Sequence, residues 1–123
     1  MRILIVDDSD VLVQRLRSSL AGITGLEIVG QAGNVADALL EIGKVKPDVV
    51  ILDIRMPGGS GIDVLDSLKR NQFKPIVIML SNFSDPPYRK ICLQSGAQYF
   101  FDKSAEFHEV AKVLRNLMSA TAA

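Results

Sequence analysis

Residues Val49-Val50-Ile51-Leu52-Asp53 form a short apolar run that stops at an acid. Apolar residues without polar alternation read as a strand covered on both faces. The pattern opens the chain as Ile3-Leu4-Ile5-Val6, running into Asp7-Asp8. It returns as Ile76-Val77-Ile78-Met79-Leu80 before Ser81. Weaker strand signals lie at Leu26–Val29 and at Tyr99–Phe101, the latter followed by Asp102-Lys103-Ser104. Between these runs the apolar spacing becomes helical. Val11 to Leu20 carries it at positions 12, 13, 16 and 20, and Gly22 and Gly25 close that helix. Asn34 is placed to cap a helix carrying Val35, Ala38, Leu39 and Ile42, which ends between Gly43 and Pro47. Gly61 to Leu68 forms the next. Pro86-Pro87 suits the first turn of a fourth, with Gly96 as its stop. A last helix carries Phe107, Val110, Val113, Leu114 and Leu117.

Five strand and helix units therefore alternate. Strands buried on both faces and followed by helices imply a parallel sheet with helices on each side. Right-handed crossovers cover both faces only if the strand order reverses once. The expected fold is α/β, a doubly wound five-stranded parallel sheet of order 2-1-3-4-5, flavodoxin-like, with five helices. Residues 1–118 are read as one domain and 119–123 as a flexible tail or the start of a linker.

The 123 residues make one domain's worth of chain, and 48% apolar content argues against disorder. Lys plus Arg and Asp plus Glu both number 14, so there is no electrostatic reason to expect nucleic acid or an anionic membrane as partner. One cysteine, Cys92, excludes a disulfide framework, and with one histidine, His108, it speaks against structural zinc. Cys92 reads as a small core hydrophobe and His108 as a solvated side chain. No apolar run is long enough for a signal sequence or a membrane span, and a cytoplasmic setting is expected.

In open α/β sheets the ligand site lies beyond the carboxyl ends of the strands. There this chain places Asp7 and Asp8, Asp53, Ser81 and Lys103. Three crowded carboxylates repel one another. A hard divalent cation such as Mg²⁺, with the Lys103 ammonium, balances them and leaves a site that accepts a phosphoryl group. A carboxylate can itself be the nucleophile and form an aspartyl phosphate.

With these stretches, Asp53-Ile-Arg-Met-Pro-Gly-Gly-Ser-Gly61, and Ser95-Gly96-Ala97 before Asp102-Lys103, the chain resembles the receiver domains of two-component response regulators. The likeness runs from Arg2 to about Met118 and includes the chemotaxis receiver. It implies that Asp53 is the phosphoacceptor, fed by a histidine kinase or phosphotransfer protein. Asp8 and Asp53 would bind Mg²⁺ directly, Asp7 through water, and Arg55 by its backbone carbonyl. Lys103 would pair with Asp53 and then with a phosphoryl oxygen, and Ser81 would hydrogen-bond another. Phe100 holds the aromatic switch position. The output would be a changed protein-binding surface around the fourth helix, fifth strand and fifth helix, facing a downstream protein target or a second copy in a phosphorylation-dependent dimer. The chain is expected to act alone or as the receiver part of a longer regulator, and to be no enzyme beyond its own phosphorylation and dephosphorylation.

Three positions depart from the family pattern. Ser104 replaces the proline that usually follows the lysine, often through a cis bond, and is read instead as a cap of the last helix with Glu106 in its first turn. Asn82 replaces a small residue after Ser81, which tightens access. Phe83 stands where dephosphorylation is tuned, and a bulky apolar group there would exclude attacking water. Two other functions compete. Asp8-Ser9-Asp10 fits the first motif of haloacid-dehalogenase-like phosphatases, but the late acidic pair and a cap domain are missing and Asp53 goes unexplained. An FMN module of the same fold would meet its phosphate with Asp7 and Asp8, which repel it.

Overall fold

The computed structural model describes residues 1–122. The elements run β1 (Arg2–Val6), α1 (Asp10–Leu20), β2 (Glu27–Ala32), α2 (Val35–Val45), β3 (Val49–Leu52), β4 (Arg55–Met56), β5 (Gly59–Ser60), α3 (Gly61–Leu68), β6 (Ile76–Ser81), α4 (Pro86–Gln94), β7 (Tyr99–Asp102) and α5 (Glu109–Ala122). Five strands form one parallel sheet in the order β2-β1-β3-β6-β7. That is the expected doubly wound topology. It reverses between β1 and β3, which opens a crevice at their carboxyl ends.

Side chains alternate across the sheet with the strand period of two. Leu4, Val6, Val50, Leu52, Val77, Met79 and Phe100 face α2, α3 and α4. Ile3, Ile5, Val49, Ile51, Ile78 and Leu80 face α1 and α5, with Tyr99 and Phe101 packed against that layer. Both faces of the central strands are therefore dry, which is why their sequences carry no polar alternation.

Local signals hold at most ends. Ser9 Oγ accepts from the Leu12 amide at 3.3 Å, and Asn34 Oδ1 accepts from the Asp37 amide at 2.8 Å, so each caps its helix. Four places differ from expectation. β2 runs three residues further, through Gly30, whose lack of a side chain lets Leu4 Cδ1 approach its backbone. A small antiparallel hairpin, β4 and β5, stands between β3 and α3. The last helix begins at Glu109, not near Ser104: residues 103–108 form turns, and Ser104 donates to Asp102 where it was expected to cap the helix. Glu106 lies in those turns, held by Arg89. Residues 119–122, expected as a flexible tail or the start of a linker, continue α5, and Ala123 lies outside the described residues. Alanine is the strongest helix former, so nothing local stops the helix at 118. Among the described residues no helix is long and apolar enough to cross a membrane.

Candidate functional site

The strand ladder carries the site residues to one rim. The Asp7 amide donates to the Ala32 carbonyl at 2.9 Å, and the Asp53 amide to the Val6 carbonyl at 3.0 Å. The two carboxylates thus leave adjacent strands side by side, each 6% exposed. Asp8, next in the chain, is exposed. One oxygen of each of Asp7, Asp8 and Asp53 lies within 4.8 Å of the others.

Lys103 enters from the end of β7. Its Nζ donates to Asp53 Oδ2 at 2.8 Å and lies 2.8 Å from Asp7 Oδ2. The other oxygens are held by backbone: the Ile54 amide donates to Asp53 Oδ1 at 2.7 Å, and the Ser9 amide to Asp7 Oδ1 at 2.8 Å. Burial pushes the Asp7 carboxyl above the ordinary aspartate range, and the neighbouring Asp53 charge adds to this. The Lys103 ammonium and the Ser9 amide only partly oppose it. Burial pulls the Lys103 ammonium down, but Asp53 and Asp7 outweigh it and hold the group above its ordinary value.

Asp7 Oδ2 is buried and, although ion-paired with Lys103, has no hydrogen bond of good geometry. Three close carboxylates, with a buried Asp7 oxygen that meets only the Lys103 ammonium, make a hard-donor set with spare capacity. It fits a hard divalent cation that takes oxygen ligands.

Glycine makes the approach to Asp53 possible. The Gly61 amide donates to the Ile54 carbonyl at 2.6 Å, and a Cβ at Gly61 would collide with the Asp53 carbonyl oxygen. Gly58 and Gly59 take φ of +80° and +147°, which lets the chain turn back from β4 into β5.

Ser81 is wholly buried at the end of β6. Its Oγ accepts from the Phe83 amide at 3.1 Å, and its carbonyl accepts from the Lys103 amide at 3.1 Å. The β6 and β7 ends are thereby joined beside the carboxylates. Phe100 lies outside this rim. It is 6% exposed in the layer under α4, with the Arg89 guanidinium 5.0 Å from its ring. Tyr99 and Phe101 stack with each other on the opposite face. The Arg55 guanidinium lies 4.8 Å over the Phe83 ring, which meets Tyr88 edge-on at 6.0 Å. Asn82 is exposed. Cys92 is buried, its thiol pushed up to about 11, as befits a packing residue. His108 is exposed, 3.2 Å from Glu109.

Sequence reading missed Arg89, Ser84 and the Asp102 carboxylate, and gave Glu106 a helix-start role; together these four bind α4 to the loop after β7. Asp102 had a signal, standing directly before Lys103. Arg89 had none, because its partners are distant in sequence.

Comparison with known proteins agrees with this geometry. The family described as response regulator receiver domain matches residues 3–115. The chain is 32% identical over 119 residues to the response regulator GacA of Pseudomonas aeruginosa, covering 97% of this chain and 56% of that protein. It is 31% identical over 110 residues to the DNA-binding transcriptional activator EvgA of Escherichia coli, covering 89% of this chain and 53% of that protein. It thus spans little more than half the length of these relatives. The receiver domain of the putative response regulator NarL from Mycobacterium tuberculosis superposes with a TM-score of 0.86 at 28% identity, covering 94% of each chain. A structure of the CheX-CheY-BeF₃-Mg²⁺ complex from Borrelia burgdorferi matches with a TM-score of 0.83 at 32% identity, covering 98% of this chain and 89% of that chain. Five parallel strands, a carboxylate crevice closed by a lysine, and a family match over nearly the whole chain agree: the chain belongs to the response regulator receiver domain family.

Proposed function

We propose that the chain is a phosphorylation-controlled signalling switch that takes a phosphoryl group onto Asp53. The observation that carries this reading is the Lys103 ammonium shared between Asp53 and Asp7 in a cluster of three carboxylates. Asp53 Oδ attacks phosphorus. The donor's P–N bond, in a phosphohistidine of a kinase or phosphotransfer protein, breaks as the O–P bond of an aspartyl phosphate forms. The Ile54 amide and Lys103 orient the carboxylate for this. Lys103 then pairs with a phosphoryl oxygen. The Ser81 hydroxyl, which now only accepts from the Phe83 amide, has a proton to donate to another. Asp8, Asp53, the Arg55 carbonyl and, through water, Asp7 would hold a Mg²⁺ ion, which would supply positive charge for the phosphoryl oxygens.

Drawing Ser81 toward the phosphoryl group moves the loop that carries Phe83 and shifts the environment of Phe100. The readout is then a changed surface at α4, β7 and α5 for a downstream protein or a second copy. The setting is cytoplasmic, beside the kinase's phosphodonor. A second reading is favoured by the lengths of the relatives. The chain is then the receiver part of a longer regulator, and the output lies in another domain.

The test is incubation with Mg²⁺ and acetyl phosphate, followed by intact mass. One adduct of a single phosphoryl group, absent with EDTA and in Asp53→Asn, is expected. Multiple turnover of a phosphate ester would favour a phosphatase instead, and no adduct under any condition would overturn the reading.

A further inference from the structure

The turn that carries Lys103 is organised by a residue to which the switch reading gives no role. Asp102 closes β7, and its carboxylate is divided between two loops. Oδ2 accepts from the amides of Ser104 at 2.9 Å and Ala105 at 2.7 Å. Oδ1 accepts from the Ser84 hydroxyl at 2.7 Å, in the segment between Ser81 and α4. The backbone is fixed as well. The Asp102 amide donates to Glu106 Oε1 at 3.1 Å, and the Glu106 amide donates back to the Asp102 carbonyl at 2.9 Å. Glu106 Oε1 also binds Arg89 Nη2 at 2.6 Å, while Arg89 Nε reaches the Ser84 carbonyl at 3.0 Å.

Lysine is a point charge on a flexible four-carbon stem, so its aim depends on where its backbone is held. The Lys103 amide is anchored on the Ser81 carbonyl, but the next two amides leave the sheet and belong to no helix. Asp102 satisfies both. Ser104 contributes the first of these N–H groups, which a proline at that position would lack. The peptide bonds of the described residues, Lys103–Ser104 included, are all trans. The turn is thus fixed by a side chain and not by ring geometry.

We propose that Asp102 is a positioning residue for Lys103: it sets the turn after β7 and, through Ser84, fastens that turn to the loop that follows Ser81. The part of this proposal that concerns phosphorylation rests on the switch reading above. Its consequence is that the two loops expected to grip the phosphoryl oxygens move as one body.

The test uses the full chain and the variants Asp102→Ala, Asp102→Asn and Ser84→Ala. Amide hydrogen exchange at Ser104 and Ala105, Mg²⁺ affinity, and the rate of phosphorylation by acetyl phosphate at saturating Mg²⁺ are measured. Asp102→Ala is expected to lose protection at both amides and to be phosphorylated about tenfold more slowly, the scale on which residues that orient a site's ligating groups act. Its Mg²⁺ affinity should be unchanged, because Asp7, Asp8 and Asp53 remain. Asn still offers an oxygen to the two amides and an N–H to Ser84, so Asp102→Asn should recover most of the rate. Wild-type speed in Asp102→Ala overturns the proposal. So does a parallel loss of rate and Mg²⁺ affinity, or an Asn variant as slow as the Ala variant. If Asp102→Ala does not fold, Ser84→Ala decides the tie between loops, and an unchanged rate there overturns it. A wild type that takes no phosphoryl group would overturn the switch reading, and exchange at Ser104 and Ala105 would still decide the claim about the turn.

Discussion

Lys103 Nζ donates to Asp53 Oδ2 at 2.8 Å, across 50 residues of sequence. The side chains are 14% and 7% exposed, so the pair works largely out of water. Replacing Lys103 by Met leaves Asp53 and Asp7 facing each other uncompensated. Breaking a buried pair on one side costs about 3 kcal/mol or more, so urea unfolding should show a loss on that scale without Mg²⁺. Added Mg²⁺ should restore more stability to the variant than it gives the wild type. Equal Mg²⁺ stabilisation of both would show that the carboxylates do not repel.

Gly61 allows the chain to pass against the Asp53 backbone. A methyl group there meets the Asp53 carbonyl oxygen, which is backbone and cannot swing aside. Overpacking of this kind costs about 1–3 kcal/mol, so Gly61→Ala should lower the urea midpoint by that measure. The displaced Asp53 should also take up phosphoryl groups more slowly. A variant of wild-type stability would mean that the hairpin shifts freely.

Acid should loosen the contact between α4 and the turn after β7. Arg89 beside Glu106, helped by the Asp102 amide, holds the Glu106 carboxyl below its ordinary value. A depressed carboxyl contributes stability that is present above its unfolded pKa and lost as pH falls through the folded one. The loss therefore belongs below about pH 4.5, the region of free glutamate. The pair is about one-third exposed, so its contribution stays within about 1 kcal/mol. Unfolding free energy measured between pH 3 and 7 should fall less steeply on the acid side in Glu106→Gln than in the wild type. Matching slopes would remove Glu106 from the account.

Phe83 is half-buried, with Arg55 over its ring. A bulky apolar side chain two residues after Ser81 should keep water from an aspartyl phosphate. Phe83→Ala should speed its loss by up to about tenfold, equivalent to about 1.4 kcal/mol of barrier. Decay followed by intact mass in wild type and variant checks this, and unchanged or slower loss in Phe83→Ala would count against it.

Much of the site was legible because its signals are local. Asp7, Asp53 and Lys103 each stand directly after a strand, and parallel topology sends the carboxyl ends of strands to one rim. The helix cap Asn34 is chemistry within three residues. Ser104 misled for the same reason. A serine ahead of an apolar helical stripe reads as a cap, but the helix starts at Glu109 because Asp102 and Glu106 hold the intervening turns. Which layer Phe100 and Tyr99 each face follows only from the register of β7 with β6, which puts Phe100 under α4 and Tyr99 on the opposite face.

The sequence by itself determined the alternation of strands and helices, the parallel sheet, and the acids and lysine on its rim. Periodicity and chain order carry that information residue by residue. Only the tertiary structure decided that Lys103 is shared by two carboxylates, that Arg55 lies over Phe83, and that Arg89 reaches Glu106 and Ser84. Those partners come from separate elements. Their meeting depends on helix placement over the sheet and on loop paths, which hydrophobic burial sets for the whole chain at once and which no short stretch encodes.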